Sequence, residues 1–296
     1  MPKPSVRYLV FDVESVADAA LVSRLRYPGQ GLEPDEAVKR YRAELMEKND
    51  SDFIPYTYQM PISIVVAKVA ADFRLIDLIA LDEPQFRSHV MTAHFWQGWE
   101  AYRKKSPLTI VSFNGRTFDV PLLELAAFRF GLPLPGWFNQ SAKTYEQPRN
   151  RYNAEAHLDL QETLTNFGAS RFSGGLNLAA NLLGKPGKMD VQGYMVQDLF
   201  NEGRIAEIND YCRCDVLDTY FVFLRGHVVL GQLKLEEEQK IIAETKAWLQ
   251  ERSAVTPVYA AYLSRWGTWR NPWEVEAQLP PATAEGTAAP EPANAQ

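Results

Sequence analysis

An α/β fold built on a mixed sheet, with helices on both faces, is what this sequence predicts. Short runs of β-branched and apolar residues are mixed with longer stretches of helical periodicity. The second and third of those runs are joined with no helix between them. That makes the first three strands antiparallel neighbours, and a crossover then leads into the fourth. With 46% hydrophobic and 23% charged residues, 296 residues are enough for one large domain or two small ones without disulfides.

The elements follow in order. Residues 6–13 form a first strand, rich in Val, Leu and Phe. Residues 16–60 read as an insertion or long connection carrying a charged helix from Glu33 to Lys48, with Pro34 near its start and Asn49-Asp50 past its end. Ile62–Ala67 and Phe73–Leu81 are two short strands joined at Ala71-Asp72. Residues 84–104 are helical, with Phe86, Val90, Phe95, Trp99 and Tyr102 recurring along them. A strand at 108–113 precedes a helix from Val120 to Phe130, which Gly131 stops. Residues 132–153 are a polar, Pro-rich loop, and 157–160 another short strand. Helices are expected at 176–183, 195–202, 205–230 and 234–252. The main domain is therefore drawn as 1–252, followed by a Trp-rich extension at 253–276. The Pro/Ala-rich tail, 277–296, has too little apolar surface to order itself.

Composition sets limits on function. The two cysteines, Cys212 and Cys214, are two apart on a helix and point to different faces, so neither a mutual disulfide nor a zinc site is expected. No apolar run is long enough to span a membrane, and the N-terminus has no signal-peptide apolar region. The expectation is a cytoplasmic protein with no membrane association. A net charge of −6 runs against a phosphate-binding surface. A metal site concentrates acids, however, and bound divalent cations reverse the local sign. Lys143, Arg149, Arg151, Lys185 and Lys188 could supply a small basic track.

Three short segments carry the chemistry. In Phe-Asp12-Val-Glu14-Ser, residues i and i+2 of a strand face the same side, so two carboxylates converge. Such a pair is costly in a core without a cation and suits hard ions such as magnesium and manganese; exposed acids at a strand end are the plain alternative. In Asn114-Gly115-Arg116-Thr117-Phe118-Asp119, Gly115 permits a tight turn. Asp119 opens a helix, as an N-cap, a ligand or both. In Tyr211-Cys212-Arg213-Cys214-Asp215, Tyr211 and Asp215 share a helix face. That tyrosine can stand over a metal held by Asp215, or simply face the core.

The order of these segments resembles the DEDDy subclass of 3′–5′ exonucleases in the ribonuclease H-like superfamily. More closely, FDVES, SFNGRTFDVPLL, HLDL and GKPGK…DVQG…YCRCDVLDTY are similar to a stand-alone family related to the proofreading exonuclease domain of family B DNA polymerases. The resemblance spans residues 6 to about 230 and implies a ribonuclease H-like mixed sheet. It further implies two divalent cations, Mg²⁺ or Mn²⁺. Asp12, Glu14 and Asp215 would hold the one that generates the nucleophile. Asp12 would bridge to a second, supported by Asp119, that stabilises the leaving 3′ oxygen, and Tyr211 would align the water. The implied reaction is stepwise hydrolysis from the 3′ end of single-stranded DNA. An RNA-trimming exonuclease and a non-catalytic nucleic-acid-binding module are the alternatives.

Among the remaining residues, Asn114 fits either substrate contact or the turn. Phe118 fits base stacking or the core, and Lys185 and Lys188 fit phosphate contact or a solvated loop. Asp159 matches no metal position and reads as a structural hydrogen-bonding group. The chain ends soon after the exonuclease-like region, so the expectation is an enzyme acting alone or with a recruiting protein partner. The insertion after the first acidic pair is expected to form a flap beside the cleft.

Overall fold

In the computed structural model, residues 5–189 and 193–276 are described. Asp190–Gln192 of the fourth similarity stretch, and the tail expected to be disordered, lie outside them. The chain runs β1 (Val6–Ala17), α1 (Ala19–Arg26), α2 (Pro34–Asn49), β2 (Gln59–Ala70), β3 (Leu75–Ala80), α3 (Ser88–Arg103), β4 (Thr109–Ser112), α4 (Asp119–Phe130) and β5 (His157–Asp159). It continues through α5 (Leu160–Leu164), α6 (Gly175–Leu182), α7 (Val196–Asn201), α8 (Ile205–Val229), α9 (Leu235–Arg252), α10 (Val258–Ser264) and α11 (Pro272–Glu276).

The sheet order is β3-β2-β1-β4-β5. β1 pairs antiparallel with β2, and β2 with β3, whereas β4 and β5 run parallel to β1. This is the mixed sheet that the sequence predicts. β1 lies at its centre because it is apolar on both sides. Leu9, Phe11 and Val13 pack toward α3 and α4, while Tyr8 and Val10 pack toward α8. The two faces thus carry separate cores. On one, Trp96, Trp99 and Trp137 cluster beneath α3 and α4. On the other lies α8, about 37 Å long at 1.5 Å per residue, whose Val216, Leu217, Tyr220, Phe221 and Leu224 are buried. A helix apolar around most of its circumference has to be enclosed, and α6, α7, α9 and α10 surround it.

Several boundaries differ from the sequence reading. β1 continues to Ala17 and β2 begins at Gln59, because their antiparallel pairing carries on past the apolar core. Phe73 belongs to the β2–β3 turn, with φ of 67°, and β3 starts at Leu75. The 84–104 helix starts at Ser88. Between β1 and β2 the chain makes a helical excursion with its own small core of Val22, Tyr27, Ala37, Val38, Tyr41 and Ile54. The sequence reading has no counterpart to α1 there. Its start is capped by the Asp18 carboxylate, which accepts from the Leu21 amide. The C-terminal segment packs closely against the sheet and α8. Tyr259 and Tyr262 of α10 belong to the same core as Val10 and Val65.

Candidate active site

Strand parity aims the first two acids. Asp12 and Glu14 continue the row of Tyr8 and Val10, the row that faces α8. From α8, one turn brings Tyr211 and Asp215 to the same place. Asp119 arrives from the first turn of α4, just past the end of β4. The result is a cleft of about 620 Å³ with Asp12, Glu14, Asp119 and Asp215 all on its wall. Segments some 200 residues apart in the chain therefore meet (Cys212 lies 200 residues from Asp12).

The four carboxylates do not ionise independently. Burial pushes Asp12 up to about 8, and the nearby Asp119 charge adds to it; a hydrogen bond from Cys212 pulls the other way. Burial also raises Asp215 to about 8, reinforced by Asp12 and opposed by a hydrogen bond from Tyr211 and by the Lys188 charge. Asp119 is raised to about 7, chiefly by burial. Glu14 is driven well above the carboxylate range by burial and then by the charges of Asp12, Asp215 and Asp119. Four acids in this condition form a set that a divalent cation would relieve. The donors are carboxylate oxygens, which suit magnesium, manganese or calcium. The residues present therefore fit such ions.

Cys212 is a neighbour that the sequence reading missed. Its sulfur groups with Asp12 and Glu14, the ligand atoms all lying within 4.8 Å of one another. The thiol donates to the Asp12 carbonyl oxygen at 3.4 Å and approaches its Oδ2 at 3.7 Å. Burial and the two acids raise its pKa well above the ordinary thiol value, so it stays protonated and acts as a donor. The available signal was its spacing of three from Asp215, which puts both on one helix face. Tyr211 is anchored by Val16, Ile62, Val196, Leu199 and Ile208, and burial together with Asp215 raises its hydroxyl pKa.

The turn that delivers Asp119 is held by buried polar groups. Asn114, not Gly115, adopts the left-handed conformation, with φ of 63°. Asparagine tolerates that region better than most residues. Gly115 is needed for space: a Cβ there would lie 2.5 Å from Ser112 Oγ and 2.9 Å from Asp119 Oδ2. Asp119 is the first helical residue rather than the cap, which is Phe118. Asp159 has the structural role expected of it. Its Oδ1 accepts from the amides of Asn114 at 3.0 Å and Gln161 at 3.0 Å, and its Oδ2 from Arg116 at 2.9 Å. One buried carboxylate thereby ties the turn that carries Asp119 to the start of α5. The Asn114 side chain is used by the turn as well, accepting from Thr117 at 2.9 Å and Gln161 at 3.0 Å.

The cations separate. Lys188 is exposed and lines the space beside Asp12 and Asp215. Lys185 does not reach that space. It is 5% exposed, donates to the Leu183 carbonyl at 3.2 Å, and lies 4.4 Å from the Trp266 ring centroid and 5.0 Å from that of Phe221. A Cβ on Gly184 would lie 2.8 Å from the Trp269 backbone nitrogen and 2.9 Å from the Thr268 carbonyl carbon, so this loop packs closely against the C-terminal segment. The rest of the supposed basic track is paired: Arg149 with Glu124, Arg151 with Glu162, and Lys143 with Glu146. Phe118 lines the cleft, opposite Phe53 from the insertion. Phe53 was also missed; a lone aromatic in the polar run Asn49-Asp50-Ser51-Asp52 was the signal for it.

Residues 51–266 match the model of a family described as a predicted 3′–5′ exonuclease related to the exonuclease domain of PolB. The family B DNA polymerase from the hyperthermophilic archaeon Pyrobaculum calidifontis is a structural match with a TM-score of 0.45 at 14% identity. That match covers 76% of this chain and 25% of the polymerase chain. No curated protein sequence matches.

Proposed function

Because the chain belongs to the family of predicted 3′–5′ exonucleases related to the exonuclease domain of PolB, we propose that it hydrolyses phosphodiester bonds stepwise from the 3′ end of single-stranded DNA. The observation that carries this reading is the cleft in which Asp12, Glu14, Asp119 and Asp215 meet. Those four carboxylates would hold two divalent cations, Mg²⁺ or Mn²⁺. Bound there, the ions would supply Lewis-acid activation of water and stabilisation of the leaving 3′ oxygen.

The chain's own residues prepare that chemistry. Cys212 donates to Asp12 and steadies its carboxylate. Tyr211 stays protonated, bonds to Asp215 and presents its oxygen to orient a water. Lys188 offers its ammonium to a phosphate at the rim. Asn114 and Asp159 keep Asp119 in place, and Asn114 contributes to the substrate side only through that turn. Lys185 packs against Trp266 and does not itself touch the strand. The two buried thiols suit a reducing compartment, and the cytoplasm is the location we propose. The partner is a free 3′ end.

The test is a 5′-labelled single strand incubated with magnesium or manganese, DNA beside RNA. The expected outcome is a DNA ladder shortening from the 3′ end. Asp12→Ala/Glu14→Ala is expected to lower the rate by about 10³-fold or more. An unchanged rate in that variant refutes the site, and faster shortening of RNA moves the substrate to RNA. Binding without cleavage in either metal leaves only a binding module.

A further inference from the structure

One lysine ammonium is buried against aromatic rings instead of a carboxylate. Lys185 is 5% exposed, and among the described residues it forms no ion pair. Its ammonium donates to the Leu183 carbonyl at 3.2 Å and lies 4.4 Å from the Trp266 ring centroid and 5.0 Å from that of Phe221. Burying an ammonium is costly unless something replaces its water. Two rings and one carbonyl do so here. Burial lowers its pKa to about 8, so at pH 7 the charge is still in place. Three residues on, Lys188 is exposed and borders both a pocket of about 350 Å³ beside Glu14 and the space beside Asp12 and Asp215. The link between the two lysines is stiff. Pro186 fixes its own φ. Gly187 turns at φ of 64°, and a Cβ there would run into Asn177 and Asn181. The Lys188 amide then donates to Asn177 Oδ1 of α6 at 2.8 Å.

We propose that Lys185 is a positioning residue: held by Trp266 and Phe221, it fixes the place from which Lys188 reaches a backbone phosphate of the single strand. This role rests on the exonuclease reading above. Lys188 is a point charge on a flexible stem, so where its ammonium can go depends on where its backbone is anchored. Asn177 anchors it on one side and the buried Lys185 on the other. With Lys185 released, the loop would have to be ordered at the moment of binding, which costs affinity. Trp266 packs on Phe221, so the C-terminal segment bears on the strand through this loop.

The test uses the full chain in chelator, which suppresses cleavage. The probe is a 5′-fluorescein oligodeoxynucleotide of about 12 nucleotides, followed by anisotropy across a salt series. Each neutralised phosphate of a single strand contributes about 0.7 to the slope of log K against log salt. Lys188→Ala is expected to weaken binding about 3- to 10-fold and to lower the slope by about that amount. Lys185→Met keeps an unbranched stem and removes the charge. It is expected to lower binding and slope likewise, with a melting midpoint unchanged or raised, because a buried charge has gone. Trp266→Leu, which opens the socket instead, is expected to lower the slope too. The double variant Lys185→Met/Lys188→Ala is expected to bind no more weakly than Lys188→Ala, since both changes remove one contact. A wild-type slope in any single variant, whatever its melting midpoint, overturns the proposal, as do losses that add in the double variant. Either result leaves the exonuclease reading standing, provided that the wild type shortens strands in magnesium. A wild type that shortens no strand overturns that reading, and the positioning role with it.

Discussion

Unfolding would return Asp12 and Asp215 from about 8 to the ordinary value of 3.8. Between those values the folded, metal-free protein binds more protons than the unfolded chain, so its stability falls as pH rises through the window. The thermal midpoint of chelator-treated protein, followed by circular dichroism, is expected to drop from about pH 5 to about pH 8. Magnesium is expected to raise that midpoint more at the upper end, where it meets ionised carboxylates. A midpoint that climbs across the range, with no response to magnesium, would mean that these acids do not press on one another. The residue types of this site were legible in the sequence, because Asp-x-Glu on a strand and Tyr-x-x-x-Asp on a helix have fixed geometric meanings. The role of Cys212 was not, since its partner is the backbone of a strand 200 residues away.

At the scale of elements, the β4–α4 turn has the least slack. Gly115→Ala would force the new methyl against Ser112 and the Asp119 carboxylate, and neither is free to retreat. Asp119 is 6% exposed and Ser112 Oγ is 2.8 Å from the His157 ring nitrogen. Nuclease activity is therefore expected to fall by about tenfold or more while the protein stays folded, with destabilisation of about 1–3 kcal/mol. Full activity with an unchanged melting curve would show that the turn can open without cost. The sequence placed this turn correctly but assigned the wrong residue to it. Asn-Gly marks a tight turn, yet only the clamp from Asp159 decides that Asn114 takes the positive φ.

On the scale of the whole molecule, the C-terminal segment is part of the foundation under α8. Tyr262 donates to Asp218 at 2.6 Å, and both are fully buried. Trp266 packs on Phe221, six residues beyond Asp215 on the same helix. Truncation after Arg252 would expose that surface and leave Asp218 without its donor. The truncated chain is expected to melt at least about 5 °C lower, consistent with a loss of several kcal/mol. An unaltered melting temperature would restore the separate extension that composition suggested. Composition suggested that extension because tryptophans in a short, proline-flanked segment look detachable. The half-buried Trp266 packs on Phe221, in a helix that ends far earlier in the chain.

The five strands and their order along the chain, the inward parity of Asp12 and Glu14, and the acids and tyrosine of the three motifs were determined by the sequence alone. Each depends on repeat distances of 2 and 3.6 residues that covalent geometry imposes on any chain. Tertiary structure alone decided which lysine faces the cleft, that a phenylalanine from the insertion stands opposite Phe118, and that a thiol steadies Asp12. Those outcomes depend on how remote segments pack, and packing answers to the shape of every neighbour at once.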